Sequence, residues 1–233
     1  MMNSKEAHKS ILLKILKDIY SDTAISPFLG FKGGTATYLF YGLPRFSVDL
    51  DFDLLDQSKE DIVFLSVKKI VEKYGIVKEA VKKRFTLFFV ISYEEKARNI
   101  KVEINRRQFG SGYELKTHLG VSMLVMKKED MFANKLLAMR DRMQKMSRDI
   151  YDVWFFADNG WPVNKDIVEK RSGLSYVKFL KECASSMKKI ENNRILFGIG
   201  DLLDEAQKKW AKEKLKTDTL FLLKLMIDNH KNN

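Results

Sequence analysis

The order of hydrophobic and polar positions divides the chain into two halves. Between about residues 27 and 126, β-branched and aromatic residues alternate with polar ones, over 47–54, 84–93 and 99–107, and helical stretches interrupt them. From residue 127 the apolar spacing becomes helical, through KEDMFANKLLAMRDR, RDIYDVWFFAD, YVKFLKECASSMKKI and TLFLLKLMID, with turn signals at Asn159-Gly160, Pro162 and Ser172-Gly173. Ahead of both, 4–20 carries Ile11, Leu12, Ile15, Leu16 and Ile19 at i, i+3, i+4 spacing, which predicts an amphipathic helix packed on the rest. No period of ~20–50 residues repeats, so solenoids and propellers are excluded. The expected fold is α+β, a mixed sheet with flanking helices followed by a helical half. In that half Tyr176, Phe179, Leu180, Cys183 and 220–227 are read as core.

The densest polar signal lies on one predicted strand. In SVDLDFDL the period of two puts Val48, Leu50, Phe52 and Leu54 on one face and Ser47, Asp49, Asp51 and Asp53 on the other. Like charges at this spacing repel, and Asp is depleted from strands. One reading is a divalent metal, with Asp49 and Asp51 offering the hard oxygens that Mg²⁺ takes together with substrate phosphates. The other is an edge strand with a solvated face.

Just upstream, 27–31 reads as a strand and 35–41 as a short helix. Gly33 and Gly34 therefore sit where amides at a helix start can approach a phosphate with no Cβ in the way. A tight turn explains the same pair. Neither GxxxxGK[ST] nor GxGxxG is present. Downstream, in KVEINRR, Val102 and Ile104 share one face, and Lys101, Glu103 and Asn105 the other. Glu103 either completes a metal triad, holding a second ion or helping to deprotonate an attacking hydroxyl, or is a surface Glu among basic residues.

Charge and cysteine usage narrow the class. Against 31 Asp and Glu stand 42 Lys and Arg, a net charge of +11, which favours an anionic partner, nucleic acid before an anionic membrane surface. The single cysteine cannot form an internal disulfide, and His8, His118 and His230 lie too far apart to read as a zinc site, which fits a reducing cytoplasm. The longest apolar run, 87–91, is far short of the ~20 residues a spanning helix needs, and the first residues carry no signal-peptide pattern. Basic clusters occur at 82–84, 106–107, 127–128, 188–189 and 208–209. Arg106 and Arg107, just after Glu103, are the leading RNA-binding candidates, with Tyr113 and Tyr151 as stacking partners for unpaired bases.

The order GG, spacer, D-x-D, then a third acid on a later strand resembles the nucleotidyltransferase superfamily that includes polymerase β. The fuller string KGGTA, LPRFSVDLDF, KVEI, the Lys inside MFANKLLAMRDR, and RDIYDVWFF is similar to the AbiEii/AbiGii toxin family, over about residues 31–156. The resemblance implies a cytoplasmic bacterial enzyme of a toxin–antitoxin or phage-defence system, with an antitoxin partner. It further implies transfer of a nucleoside monophosphate from an NTP to an acceptor hydroxyl, for some members the 3′ end of tRNA.

By residue, the resemblance implies Mg²⁺ on Asp49 and Asp51, triphosphate contacts from Gly33, Gly34, Thr35 and Ser47, and completion of the site by Lys135 and Asp152 or Asp149. It divides the chain into a catalytic domain, 1–126, and a helical domain, 127–233, that contributes the Lys and Asp. Lys135 interrupts a helix that is apolar on nearly all sides, so it either snorkels out of the core or meets a phosphate. Helix spacing does not separate Asp149 from Asp152. Arg45 either reaches phosphate or offsets the aspartates. Two further readings remain open here: transfer to a protein or small-molecule acceptor, with self-modification at Ser47 or Thr35 as a variant, and a non-catalytic RNA-binding module.

Overall fold

The computed structural model describes residues 4–95 and 97–231. The chain forms two compact units. One runs to Gln108 and resumes over Gly112–Met126, and the other holds Phe109–Ser111 and everything from Lys127.

The first unit is α+β. In chain order it contains α1 (Ser4–Ser21), β1 (Leu29–Lys32), α2 (Gly33–Tyr41), β2 (Asp49–Leu54), α3 (Glu60–Glu72), β3 (Ile76–Lys83), β4 (Thr86–Ser92), β5 (Ile100–Asn105), β6 (Tyr113–His118) and β7 (Val121–Met126). The strands form one sheet in the order β3-β4-β5-β2-β1-β7-β6, parallel at β2/β5 and β1/β7 and antiparallel elsewhere. On one face, Leu50, Phe52, Leu87, Phe89, Ile91, Val102 and Ile104 are fully buried. Helices α1 and α3 cover that face: the Tyr20 and Phe52 rings lie 6.1 Å apart, and those of Phe64 and Phe89 5.1 Å. Each such side chain contributes roughly 1.5–3 kcal/mol by leaving water. That burial holds the opposite, polar face of β2 and β5 in register.

Arg84 and Phe85 lie in the hairpin turn before β4 rather than on the strand that their alternation suggests. The turn is set by the antiparallel pairing of Lys83 with Thr86.

The second unit is helical: α4 (Lys128–Arg142), α5 (Arg148–Asp158), α6 (Lys165–Ser172), α7 (Tyr176–Lys188), α8 (Glu205–Trp210) and α9 (Lys216–Lys231). A π-helical turn over Ala211–Leu215 joins the last two. Its core includes Phe132, Phe156, Phe179, Leu180 and Leu223. Cys183 is buried there too, and burial pushes its thiol up to about 12, so it packs as a small apolar group. Along 220–227 only Leu223 and Ile227 are buried, whereas Phe221 and Leu225 are exposed, which corrects the reading of that whole stretch as core. Four-residue spacing places 223 and 227 inward and 221 and 225 outward.

Candidate active site

Strand pairing brings the predicted carboxylates of the first unit together. In the parallel ladder of β2 and β5, Asp49 is in register with Lys101, Asp51 with Glu103, and Asp53 with Asn105. All six side chains alternate with buried apolar neighbours and so share the polar face. Burial raises the pKa of Glu103, and the charges of Asp51 and Asp49 raise it further, against the opposing pull of Lys101 and Lys83. Glu103 is therefore a neighbour of the two aspartates and not an isolated surface acid.

Gly33 stands at the first position of α2 with φ +79°, a conformation favourable to glycine. A Cβ there would lie 2.4 Å from Oδ2 of Asp51, so only a glycine lets that carboxylate lie against the helix start. At Gly34 a Cβ would lie 2.7 Å from Nη2 of Arg45 and 2.9 Å from Oγ of Ser47. No side chain caps α2 at Lys32. The opening turn of α2 thus offers amides without a side-chain cap, beside an acidic strand, an arrangement suited to a phosphate accompanied by a cation.

The hydroxyl of Thr35 donates to the carbonyl of Asp49 at 2.5 Å and lies 2.9 Å from Oγ of Ser47. Thr35 is buried, and its hydroxyl splices α2 to the start of β2. Arg45 is only 1% exposed, with Nη1 donating to the carbonyl of Phe46 at 3.0 Å. It lies behind Gly34 as part of the wall of the cradle.

Asp53 forms a hub that the alternation does not reveal. Oδ1 accepts from Lys32 at 2.5 Å and from Nδ2 of Asn105 at 2.6 Å, while Oδ2 accepts from the hydroxyl of Tyr113 at 2.5 Å. Asn105 also accepts from Nε of Arg107 at 3.1 Å. The third aspartate of the strand is thereby committed to the fold. Tyr113 and Tyr151, proposed from sequence as stacking platforms, are engaged elsewhere: Tyr113 lies over Gly30, where a Cβ would meet its ring at 2.2 Å, and Tyr151 is buried against Trp154 and Trp210. Arg106 is held by Glu60 through Nε at 2.8 Å and by the carbonyl of Lys83 at 2.9 Å. It acts as a clamp on the sheet edge, whereas Arg107 is exposed.

In the second unit, Nζ of Lys135 lies 3.1 Å from Oδ1 of Asp149 and 2.7 Å from Oδ2 of Asp152. Both carboxylates are fully buried, and α5 presents them one turn apart to a single lysine of α4. Nη2 of Arg142 stands 2.8 Å from Oδ2 of Asp149, an ion contact off the line of a hydrogen bond. The sequence contains the signal for Arg142, since it falls two helical turns after Lys135 on the same face of α4.

Among the described residues no three His, Cys, Asp or Glu side chains converge into a ready-made metal cage. The donors are hard oxygens only: two carboxylates at alternate positions of one strand, and a third acid across the ladder. That set fits Mg²⁺ shared between one or two carboxylates and substrate phosphates better than a closed structural site.

An uncapped glycine helix start thus lies beside an acidic strand pair. The family described as nucleotidyl transferase AbiEii toxin, type IV toxin–antitoxin system, matches residues 14–220 of the 233. The chain belongs to that family; it is a nucleotidyltransferase, a toxin whose systems pair it with an antitoxin. A crystal structure from H. pylori described as a candidate nucleotidyltransferase is similar at TM-score 0.68 and 21% identity, over 100% of this chain and 98% of that one. JHP933 from Helicobacter pylori is similar at TM-score 0.62 and 19% identity, over 100% and 95%. At these identities the likeness concerns the fold. No curated protein matches in sequence. Among the described residues no helix is long and apolar enough to cross a membrane.

Proposed function

We propose that this chain binds a nucleoside triphosphate with Mg²⁺ and transfers the nucleoside monophosphate to the hydroxyl of an RNA acceptor, the 3′ end of tRNA, in the cytoplasm. The observation that carries this reading is the contact between the Asp51 carboxylate and the Gly33 backbone at the uncapped start of α2. A cation and a phosphate are needed at adjacent positions, and the two elements supply a site for each. Asp49 and Asp51 would hold the ion, which when bound neutralises their repulsion and polarises the phosphate oxygens. The Gly33 and Gly34 amides and Ser47 bind triphosphate oxygens, and the positive end of α2 favours that charge.

Glu103, whose carboxyl holds its proton more tightly than an ordinary glutamate, is matched to take the proton of the attacking hydroxyl. As the acceptor oxygen bonds to the α-phosphorus, the bridging bond to the β-phosphate breaks and pyrophosphate leaves. From the family resemblance we assign Lys135, which Asp149 and Asp152 restrain, as a source of positive charge for the phosphates. The net charge of +11 favours an RNA acceptor over a cationic small molecule.

The test is incubation of the purified protein with Mg²⁺, each α-radiolabelled NTP in turn, and total bacterial tRNA, resolved on a denaturing gel. Label on tRNA from one preferred NTP, lost in Asp51→Asn, is the expected result. Label on the protein alone, or none, overturns the RNA assignment.

A further inference from the structure

Two basic clusters more than twenty residues apart in sequence, 82–84 and 106–107, meet at one end of the sheet. The β3–β4 hairpin turns at Arg84 and Phe85, and Thr86 is in register with Asn105, the last residue of β5. The amide of Arg106 donates to the carbonyl of Phe85 at 2.8 Å, and Nη1 of Arg106 to that of Lys83 at 2.9 Å, which pins the turn against the strand end. Several of the cations there are neutralised within the fold. Lys82 is held by Glu60 and Asp61, and Arg106 by Glu60.

Arg84 and Arg107 both meet the Phe85 ring. Cζ of Arg84 lies 4.9 Å, and Cζ of Arg107 5.0 Å, from the ring centroid of Phe85. That ring is 43% exposed, at a hairpin tip where it seals no core. Among the described residues Arg84 forms no ion pair, and Nε of Arg107 is held by Oδ1 of Asn105 at 3.1 Å. Two guanidinium groups repel each other, so gathering them on one ring raises the potential and favours an anion between or beside them. The ring also fixes their planes, which lowers the ordering cost of a bidentate contact to phosphate.

Lys83, itself paired with Glu79 at 3.1 Å, reaches the neighbourhood of the acidic strand. Nζ of Lys83 lies 3.5 Å over the ring of Phe88, Phe88 is in register with Glu103, and the charge of Lys83 acts on the Glu103 carboxyl. An exposed aromatic flanked by planar cations, on a path toward the candidate carboxylates, suits a flexible single strand. Its phosphates meet the forks and its bases stack on the exposed planes.

We propose that the tip formed by Arg84, Phe85 and Arg107 is the surface that grips a single-stranded RNA segment, with Arg106 serving only to position it. Calling that segment the acceptor rests on the nucleotidyl-transfer reading above; the binding itself does not. The experiment is fluorescence anisotropy of the full-length protein with a short labelled single-stranded RNA, without NTP, over a series of salt concentrations. Thermal melts confirm that each variant is folded.

Arg84→Ala with Arg107→Ala is expected to weaken binding at least about tenfold at low salt. It should flatten the slope of log K against log salt by about 0.7 for each phosphate that the variant no longer neutralises. Arg84→Lys with Arg107→Lys should lose part of the affinity while keeping the charge, and Phe85→Leu should weaken binding several-fold. An unchanged affinity and slope in the double alanine variant overturns the proposal. So does equal competition by poly-glutamate, which would make the tip a surface for acidic proteins. RNA binding lost in the double variant, with no nucleotide transfer by the wild type, leaves the tip standing and removes the reaction. Transfer to RNA with an unchanged KM in the double variant removes the tip and leaves the reaction.

Discussion

The hydroxyl of Tyr113 donates to Oδ2 of Asp53 at 2.5 Å, across sixty residues of sequence, and so ties the third aspartate of β2 to β6. Lys32 and Asn105 hold the other oxygen. Asp53 is thereby withdrawn from ligand binding and anchors the strand on which Asp49 and Asp51 are presented. Tyr113→Phe removes a hydrogen bond to a charged acceptor, and urea denaturation should show a loss of about 1.5–3 kcal/mol. Asp53→Ala, which leaves Lys32 without its carboxylate and removes one of the two acceptors of Asn105 Nδ2, should cost more than Tyr113→Phe.

Gly33→Ala places a methyl group against Asp51 in a backbone conformation that L-residues avoid. The left-handed conformation alone costs about 1–2 kcal/mol. The folded variant should lose at least about a hundredfold in nucleotidyl transfer, measured with labelled NTP, because Asp51 is displaced. Gly42→Ala also has φ +70° but no neighbour within 4 Å, so it should share the stability cost and keep the activity.

Lys135→Met would leave Asp149 and Asp152 buried without their shared cation. Losing one partner of a buried ion pair costs about 3–5 kcal/mol, and chemical denaturation should show a loss of that order. Adding Asp152→Asn to that variant should restore part of the stability but none of the activity. Recovery of activity together with stability would show that the lysine acts only in folding.

Glu103 determines a pH dependence. Its pKa is raised in the folded state by burial and by Asp51 and Asp49, so on a rise in pH the unfolded chain ionises it first. Its effect on stability is absent in acid, where both states are protonated, builds as pH rises from the unfolded to the folded pKa, and is fully destabilising above it. Glu103→Gln should therefore match the wild type in acid and exceed it in stability at neutral pH, as followed by urea denaturation across that range. A wild type that gains on the variant as pH rises contradicts this ordering.

Arg106→Ala breaks the Glu60 contact and the hydrogen bond to Lys83. Calorimetry should show a loss of roughly 1 kcal/mol, the scale of a partly exposed pair or a single hydrogen bond.

Much of the site is legible from local pattern. Alternation with a period of two puts Asp49, Asp51 and Glu103 on polar faces, because apolar neighbours must face the helices that cover the sheet. The glycine pair is legible because a side chain there would obstruct a helix start. The edge strands are weaker signals: β3 is exposed on both faces, so burial imposes no alternation on IVKEAVKK, and β6 has no buried residue and exposes Leu115. Thr35, Arg45, Arg106, Tyr113 and Tyr151 read as site candidates because their chemistry suits ligands, yet each is bound or buried within the fold.

The sequence by itself determines the fold class, the family and the faces on which carboxylates and lysines lie, since these follow from periodicity and local motifs. Only the tertiary structure decides which polar groups are already satisfied. Register pairs Asp51 with Glu103, commits Asp53 to Tyr113, divides Lys135 between two buried aspartates, and gathers Arg84 and Arg107 on Phe85. Hydrogen bonds and ion pairs act over a few ångströms in space, and residues that meet there are tens of positions apart along the chain.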